Sequence, residues 1–389
     1  MSKPVSNELS SNEFTSNEWL RYTRHLQLPQ VGVAGQLRLK QARVLIVGAG
    51  GLGSPVSLYL AAAGVGHISI IDGDTIDLTN LQRQILFTTA QVGQSKAKCA
   101  QQQLLALNPD IEVSATEQHL SLDNAQALIE KVDLVIDCTD NFETRYLIND
   151  LCVLTKTPWL FASIYQFSGQ CALFTPLKTD QSACFRCVFP EKPEAGLADC
   201  NTAGVLGVLP GLLGTLQANE AIKYLAGLSC ALENTLLLAE AETLEFRKIQ
   251  LAKNSDCPLC AQKNIELREE DYRLNHADGS LCSLNVKTES GQDLSPEQFL
   301  YYREQAGYQV VDVRSKVERG SFNIGGDHIP LDELGVSLSK LDKNKTILCY
   351  CQTGIRSGKA LALLEAHQFS VKHLDKGLVD LLKSGLLVQ

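Results

Sequence analysis

At 389 residues the chain exceeds what one hydrophobic core ordinarily organises, so two domains are expected. Its 44% hydrophobic and 20% charged residues are those of an ordinary globular protein, and a net charge of -9 argues against a nucleic-acid or anionic-membrane surface. Small molecules and other proteins remain as partners. Residues 1–18 are polar and rich in Ser, Asn and Glu, and read as a disordered leader without the apolar core of a signal peptide. With an odd count of 13 cysteines, this points to a reducing cytoplasm.

A helix is expected near Trp19 to His25, carrying Arg21 and Arg24. Arg43 to Val47 (RVLIV) reads as a buried strand, Pro55 to Ala63 as a helix, and His67 to Ile71 as a second strand ending at Asp72. Together they form a βαβ unit. Gly48, Gly50 and Gly53 make a GxGxxG turn, with Gly51 inside it, whose missing side chains let backbone N–H groups and a helix N-terminus approach a phosphate. Asp72 lies at the spacing of a ribose ligand, which suits a nicotinamide-dependent oxidoreductase as well as an ATP-using enzyme. The residues after it separate the two. Asn80-Leu-Gln-Arg83-Gln and then Lys96, opening an expected helix to Leu107, supply two cations soon after the ribose acid. That is more positive charge than hydride transfer needs, and it suits a triphosphate attacked at its α-phosphorus. Asp133 to Cys138 reads as a buried parallel strand. Asp140, just past it and beside Asn141, stands where open α/β sheets bind ligands, and its carboxylate suits Mg²⁺. As bland alternatives, Arg83 and Lys96 are solvated charges and Asp140 caps the next helix. A further strand begins at Pro158 to Ala162.

Two Cys-x-x-Cys pairs come next, Cys184/Cys187 and Cys257/Cys260. Each can place two thiolates on one tetrahedral Zn²⁺ from a tight turn, and the two together complete a closed, structural site. Between them, Gly204 to Leu216 is apolar but short and interrupted by Pro210, so it reads as a buried loop and helix start, not a membrane span. Residues 263–290 are charged and irregular, a linker, and a second domain occupies 291–389. It opens with a capped helix start, Ser295-Pro-Glu-Gln298, and continues with buried strands at Gln309 to Val313 and Thr346 to Tyr350. Cys351 follows the last strand directly and precedes a helical segment, so it faces backbone N–H groups that stabilise an anion on sulfur. Only Gln352 to Ile355 separate it from Arg356, a tighter loop than that of the tyrosine phosphatases, better suited to a persulfide than to a phosphate. Cys349 is expected to face the strand's other environment.

From Arg21 to Cys260 the chain resembles the MoeB/ThiF/HesA family of adenylating enzymes, relatives of the ubiquitin-activating enzymes. The resemblance rests on RYTRHL at 21–26, VLIVGAGGLGSP at 44–55, DGDTIDLTNLQRQ at 72–84, the segment around Lys96, CTDN at 138–141 and both cysteine pairs. It implies an α/β, Rossmann-like domain over 19–262 that uses ATP to adenylate the Gly-Gly tail of a ubiquitin-like sulfur carrier. Asp72 would then hold the ribose, Arg83 and Lys96 the phosphates with help from Asn80, and Asp140 the Mg²⁺. It also implies a homodimer in which Arg24 reaches the partner's phosphate site, and makes Cys200 a candidate for a covalent link to the carrier. DVRS at 312–315, Glu318 and GDHIPL at 326–331, with the Cys351 loop, resemble a single rhodanese domain, a smaller α/β fold with Cys351 as persulfide carrier charged by a desulfurase or thiosulfate. The fusion resembles the enzymes that make carrier thiocarboxylate for the molybdenum cofactor. The same chemistry serves thiamine synthesis or tRNA thiolation, and a noncatalytic scaffold for ubiquitin-like tails is the alternative of another class.

Overall fold

Alternation along one strand decides the first architecture: Val44 and Ile46 enter one apolar core while Leu45 and Val47 enter another. Both faces of the sheet are therefore covered. The computed structural model describes residues 14–190, 204–262, 266–272 and 292–386. It divides into two units, Met1–Leu274 and Asn275–Gln389.

The first unit holds an eight-stranded sheet. Its strands are β1 (Arg43–Val47), β2 (His67–Ile71), β3 (Glu112–Thr116), β4 (Leu134–Asp137), β5 (Trp159–Tyr165), β6 (Ser168–Phe174), β7 (Thr235–Glu240) and β8 (Glu245–Gln250), in the order β3-β2-β1-β4-β5-β6-β7-β8. Pairing is parallel from β3 to β5 and antiparallel from β5 to β8. The order reverses between β1 and β4, so a crevice opens at their C-terminal ends, where Val47 pairs with Asp137. The helix Gly53–Ala63 packs on one face beside Val208–Ala226, into which the apolar tract resolves with Leu209, Pro210 and Leu213 buried. On the other face Trp159, Phe161, Phe174 and Phe185 pack ring against ring.

Two expected boundaries move. Helix begins at Ser16, within the span read as leader, because Thr15 and Glu18 form a reciprocal cap and Lys40 pairs with Glu18. The span read as linker includes Tyr272, which is buried in the first unit and donates its hydroxyl to Asp150 at 2.6 Å.

The second unit is a five-stranded parallel sheet. Its strands β9 (Asp293–Leu294), β10 (Tyr308–Asp312), β11 (Asp327–His328), β12 (Thr346–Tyr350) and β13 (Val371–Leu374) lie in the order β11-β10-β12-β13-β9. Ser295 caps the helix Pro296–Arg303 with Gln298 reaching back, as its sequence predicts. The helix Ile355–Ala366 starts directly after the Cys351 loop.

Candidate functional site

Steric necessity shapes the glycine turn after β1. Gly48 has φ +92°, and a Cβ there would lie 2.8 Å from the Cys138 carbonyl; one at Gly53 would lie 2.1 Å from the Gly48 carbonyl. Packing demands less at Gly50, whose nearest neighbour would be Gln84 Nε2 at 3.6 Å. Gly51 packs against Pro210, with the Arg83 stem alongside.

Asp72 ties this turn to the end of β2. Its Oδ2 accepts from Ala49 N at 2.7 Å and its Oδ1 from Asp74 N at 2.8 Å. Burial pushes its carboxyl up, opposed by the nearby Lys96 ammonium. Lys96 is itself buried, with Nζ 2.8 Å from Asp74 Oδ2, so a fixed cation stands beside the acid. Arg83 donates to the Thr79 carbonyl at 3.2 Å, and Asn80 Oδ1 accepts from Asp77 N at 3.3 Å. The structure thus brings Gly48–Gly53, Asp72, Lys96 and Arg83 around one strand edge.

Asp140 is exposed just beyond β4, at the facing strand end. The cap of the helix Phe142–Thr155 is Asn141, whose Oδ1 accepts from Thr144 N at 2.9 Å, so capping does not account for Asp140. Arg24 is exposed and makes no bond to the cleft residues among those described. Cys200 lies outside the described residues.

Sequence reasoning passed over two groups here. Gln84, 4% exposed with its Nε2 beside Gly50, has a buried Oε1 without a hydrogen-bond partner. Only its place in the NLQRQ run could have signalled it. Arg145 is buried with Asp137 (Nε to Oδ2 2.9 Å) and donates to the Thr139 and Ala162 carbonyls, holding the turn that carries Asp140.

The four cysteines of the two pairs converge. Cys184 Sγ lies 3.8 Å from Cys187 and 3.6 Å from Cys257, and Cys187 lies 3.4 Å from Cys260. These are near the edge of about 3.8 Å of a tetrahedron with zinc–sulfur bonds of about 2.3 Å, and far beyond the ~2.05 Å of a disulfide. The donor set fits a closed Zn²⁺ site walled by Val153 and Leu259.

In the second unit Cys351 Sγ accepts N–H bonds from Gly354 at 3.2 Å and Ser357 at 3.3 Å, the anion-stabilising arrangement its position predicts. The residue is fully enclosed in this conformation. Gly354 has φ +89°, and a Cβ there would meet the Asp375 carbonyl at 1.5 Å. Gly377, unnoticed in the sequence, would with a Cβ strike the backbone of Gln352 to Gly354 at 2.6 Å. Arg356 makes a two-bond clasp on Glu318. Burial opposes ionisation there, yet bonds from Arg356 and Ser315 hold the Glu318 carboxyl down at about 2. One expectation is corrected: Cys349 shares the apolar cluster of Cys351, because residues two apart on a strand point to the same face, while Tyr350 enters the opposite cluster. Burial pushes the Cys349 thiol up to about 12, which favours the packed, protonated thiol.

The chain is similar to known proteins over both units. The sequence profile of the ThiF family matches residues 22–259, and that of the rhodanese-like domain matches 295–384. The chain is 38% identical to the probable adenylyltransferase/sulfurtransferase MoeZ of Mycobacterium tuberculosis, over 95% of this chain and 94% of that one. It is 46% identical to the sulfur carrier protein adenylyltransferase of Thermus thermophilus, over 67% of this chain and 97% of the relative. A crystal structure of Escherichia coli MccB with ATP superposes with a TM-score of 0.54 at 26% identity, covering 64% of this chain and 75% of that chain.

Proposed function

The chain belongs to the ThiF family and carries a rhodanese-like domain behind it; on that premise we propose that it is an ATP-dependent adenylyltransferase and sulfurtransferase acting on a ubiquitin-like sulfur carrier. The carrier's C-terminal glycine carboxylate attacks the α-phosphorus of ATP, giving an acyl-adenylate and pyrophosphate. Asp72 accepts from the ribose hydroxyls, the Gly48–Gly53 amides meet the phosphates, and Arg83 and Lys96 offset the charge that builds on them, with Asn80 assisting. Asp140, with Asn141 beside it, is the carboxylate for Mg²⁺, which would screen the departing pyrophosphate. Cys184, Cys187, Cys257 and Cys260 hold Zn²⁺ as a brace of the fold.

Cys351 takes sulfane sulfur from thiosulfate or a desulfurase as a persulfide. The terminal sulfur attacks the adenylate carbonyl and expels AMP. A second thiol then cleaves the resulting acyl disulfide, releasing the thiocarboxylate and remaining disulfide-bonded to Cys351; Cys200 is a candidate for a covalent link to the carrier. Joining both activities in one chain raises the donor's local concentration at the adenylate. Arg24 would complete the phosphate site across a homodimer. The destination is the molybdenum cofactor, with thiamine synthesis and tRNA thiolation as the alternatives that the cognate carrier distinguishes. Free thiols throughout the described residues suit a cytoplasmic setting, and among those residues no helix is long and apolar enough to cross a membrane.

The observation that carries the reading is the pair of amides on Cys351 sulfur in a chain whose other unit gathers Asp72, Lys96 and Arg83 about a glycine turn. Incubation with a Gly-Gly-ended carrier, ATP, Mg²⁺ and thiosulfate, followed by mass spectrometry of the carrier, tests it. The carrier should pass through an adenylate and end with one oxygen replaced by sulfur. A carrier of unchanged mass, bound but unreacted, would make this a scaffold.

A further inference from the structure

The Cys351 sulfur ends a line of polar contacts that runs to the sheet's edge. Sγ lies 3.5 Å from Ser357 Oγ, Ser357 Oγ 3.2 Å from His373 Nδ1, and His373 Nε2 2.9 Å from Asp293 Oδ1. Ser357 is fully buried and His373 is 6% exposed, while Asp293 stands exposed on the edge strand β9. Only the far end of the line is wetted.

The carboxylate settles the roles along it. Asp293 takes the Nε2–H, so a neutral His373 presents Nδ1 as an acceptor to Ser357. The serine has one proton and three acceptors within reach: Nδ1, Sγ, and the Gly354 carbonyl at 2.9 Å. Once His373 is protonated, Nδ1 becomes a donor to Ser357 Oγ, and the serine proton is released toward sulfur. The two protonation states of the imidazole thus correspond to the two states of the sulfur, thiol with neutral ring and thiolate with imidazolium.

We propose that Asp293, His373 and Ser357 form a proton relay that takes the thiol proton of Cys351, with His373 as a positioning residue acting through the serine. The inference rests on Cys351 being the sulfur carrier. In the step, the S–H bond breaks as its proton passes to Ser357 Oγ, and the serine's own proton passes to His373 Nδ1. Thiolate and imidazolium result, with no net change of charge or oxidation state. The thiolate then attacks the outer sulfur of thiosulfate, sulfite leaves with the bonding electron pair, and Cys351 carries the persulfide.

The surroundings favour this charge distribution. From β9 Asp293 faces the imidazole, and from the turn after β13 Asp375 lies close to both. Cys349 neighbours it across the β12–β13 ladder, packed as a thiol. From the loop side come Cys351 and, close enough to sense its charge, Arg356 in its clasp on Glu318. Two carboxylates beside one imidazole offset the cost of a buried imidazolium. A histidine that only filled space would need neither.

The test follows sulfur loading of Cys351 by thiosulfate and, independently of any donor, its alkylation by iodoacetamide, each read on the Cys351 peptide by mass spectrometry across pH 5–9 in the full chain. His373→Gln should raise the pH midpoint by about one unit, so that rates near pH 6 fall about tenfold and converge with wild type at high pH. Ser357→Ala should match it, and the double variant should be no slower than either single one. Carrier-dependent pyrophosphate exchange should be unchanged in all three. A wild-type midpoint in folded His373→Gln overturns the relay. Should that variant fail to fold, Asp293→Asn, altered only at the surface, decides: a raised midpoint supports the relay and an unmoved one overturns it. Wild-type Cys351 that never takes sulfur but shows the shifted alkylation profile in the variants would refute the sulfur-carrier reading and leave the relay standing.

Discussion

Arg145 and Asp137 form a buried ion pair beneath the edge where the strand order reverses, 2.9 Å from Nε to Oδ2, with further guanidinium bonds to the Thr139 and Ala162 carbonyls and the Ser163 hydroxyl. Asp137 also bonds the Thr139 hydroxyl and amide through Oδ1, so the turn leading to Asp140 is held from both sides. Arg145→Ala leaves a carboxylate buried without its cation and should cost about 3–5 kcal/mol, read as a lower unfolding temperature. Pyrophosphate exchange at a permissive temperature should fall as well. Full exchange in a destabilised variant would show that this turn does not set the position of Asp140.

Asp140 offers the opposite case. It is exposed and is not the helix cap, so Asp140→Ala should leave the unfolding temperature within about 2 °C of wild type. Carrier-dependent ATP–pyrophosphate exchange should nevertheless drop at least about a hundredfold. An active Asp140→Ala protein would remove this carboxylate from the magnesium site.

For the four cysteines, elemental analysis should give about one zinc per chain. Cys257→Ser removes one of the two innermost sulfurs and should lower the unfolding temperature by about 10 °C, since binding and folding share their free energy. Protein prepared without chelators yet free of zinc would overturn the assignment.

What could be read in the sequence was local or strictly periodic. The glycine turn, Asp72 and each cysteine pair fall within short windows, and the capped helix at Ser295 follows from four consecutive residues. The antiparallel strands β6–β8 escaped because their pairing depends on partners set by the folded sheet. His373 and Asp293 are 80 residues apart and meet only because β13 pairs with β9 at that register. Gly377 looked like any turn glycine until the Cys351 loop came to rest on it.

Glu318 carries a pH signature. Its carboxyl is held at about 2, below the ordinary value of 4.5, chiefly by Arg356 and Ser315 against the opposing effect of burial. The unfolded chain therefore binds the proton first as pH falls. The stabilisation is complete above about pH 5 and disappears between there and about pH 2. The difference in unfolding temperature between wild type and Glu318→Gln should be largest near neutrality and shrink across that window. A difference independent of pH would mean that the Arg356 clasp contributes through packing alone.

Cys351 separates the two chemistries. Its loop belongs to the second unit, whereas Arg83, Lys96, Asp72 and Asp140 belong to the first. Cys351→Ala removes the sulfur that accepts the Gly354 and Ser357 amides, a change confined to a small buried side chain, and leaves the Arg356 clasp on Glu318 untouched. The variant should exchange pyrophosphate and form the carrier adenylate at wild-type rates, because no residue of the nucleotide edge has changed. It should make no thiocarboxylate from thiosulfate. Free sulfide, which can attack the adenylate carbonyl without a protein thiol, should restore product in proportion to its concentration. If the variant made thiocarboxylate from thiosulfate as fast as wild type, the sulfur would travel by another cysteine and the second unit would serve only to dock a partner. Loss of adenylation together with sulfur transfer would instead show that the two activities are coupled through the chain.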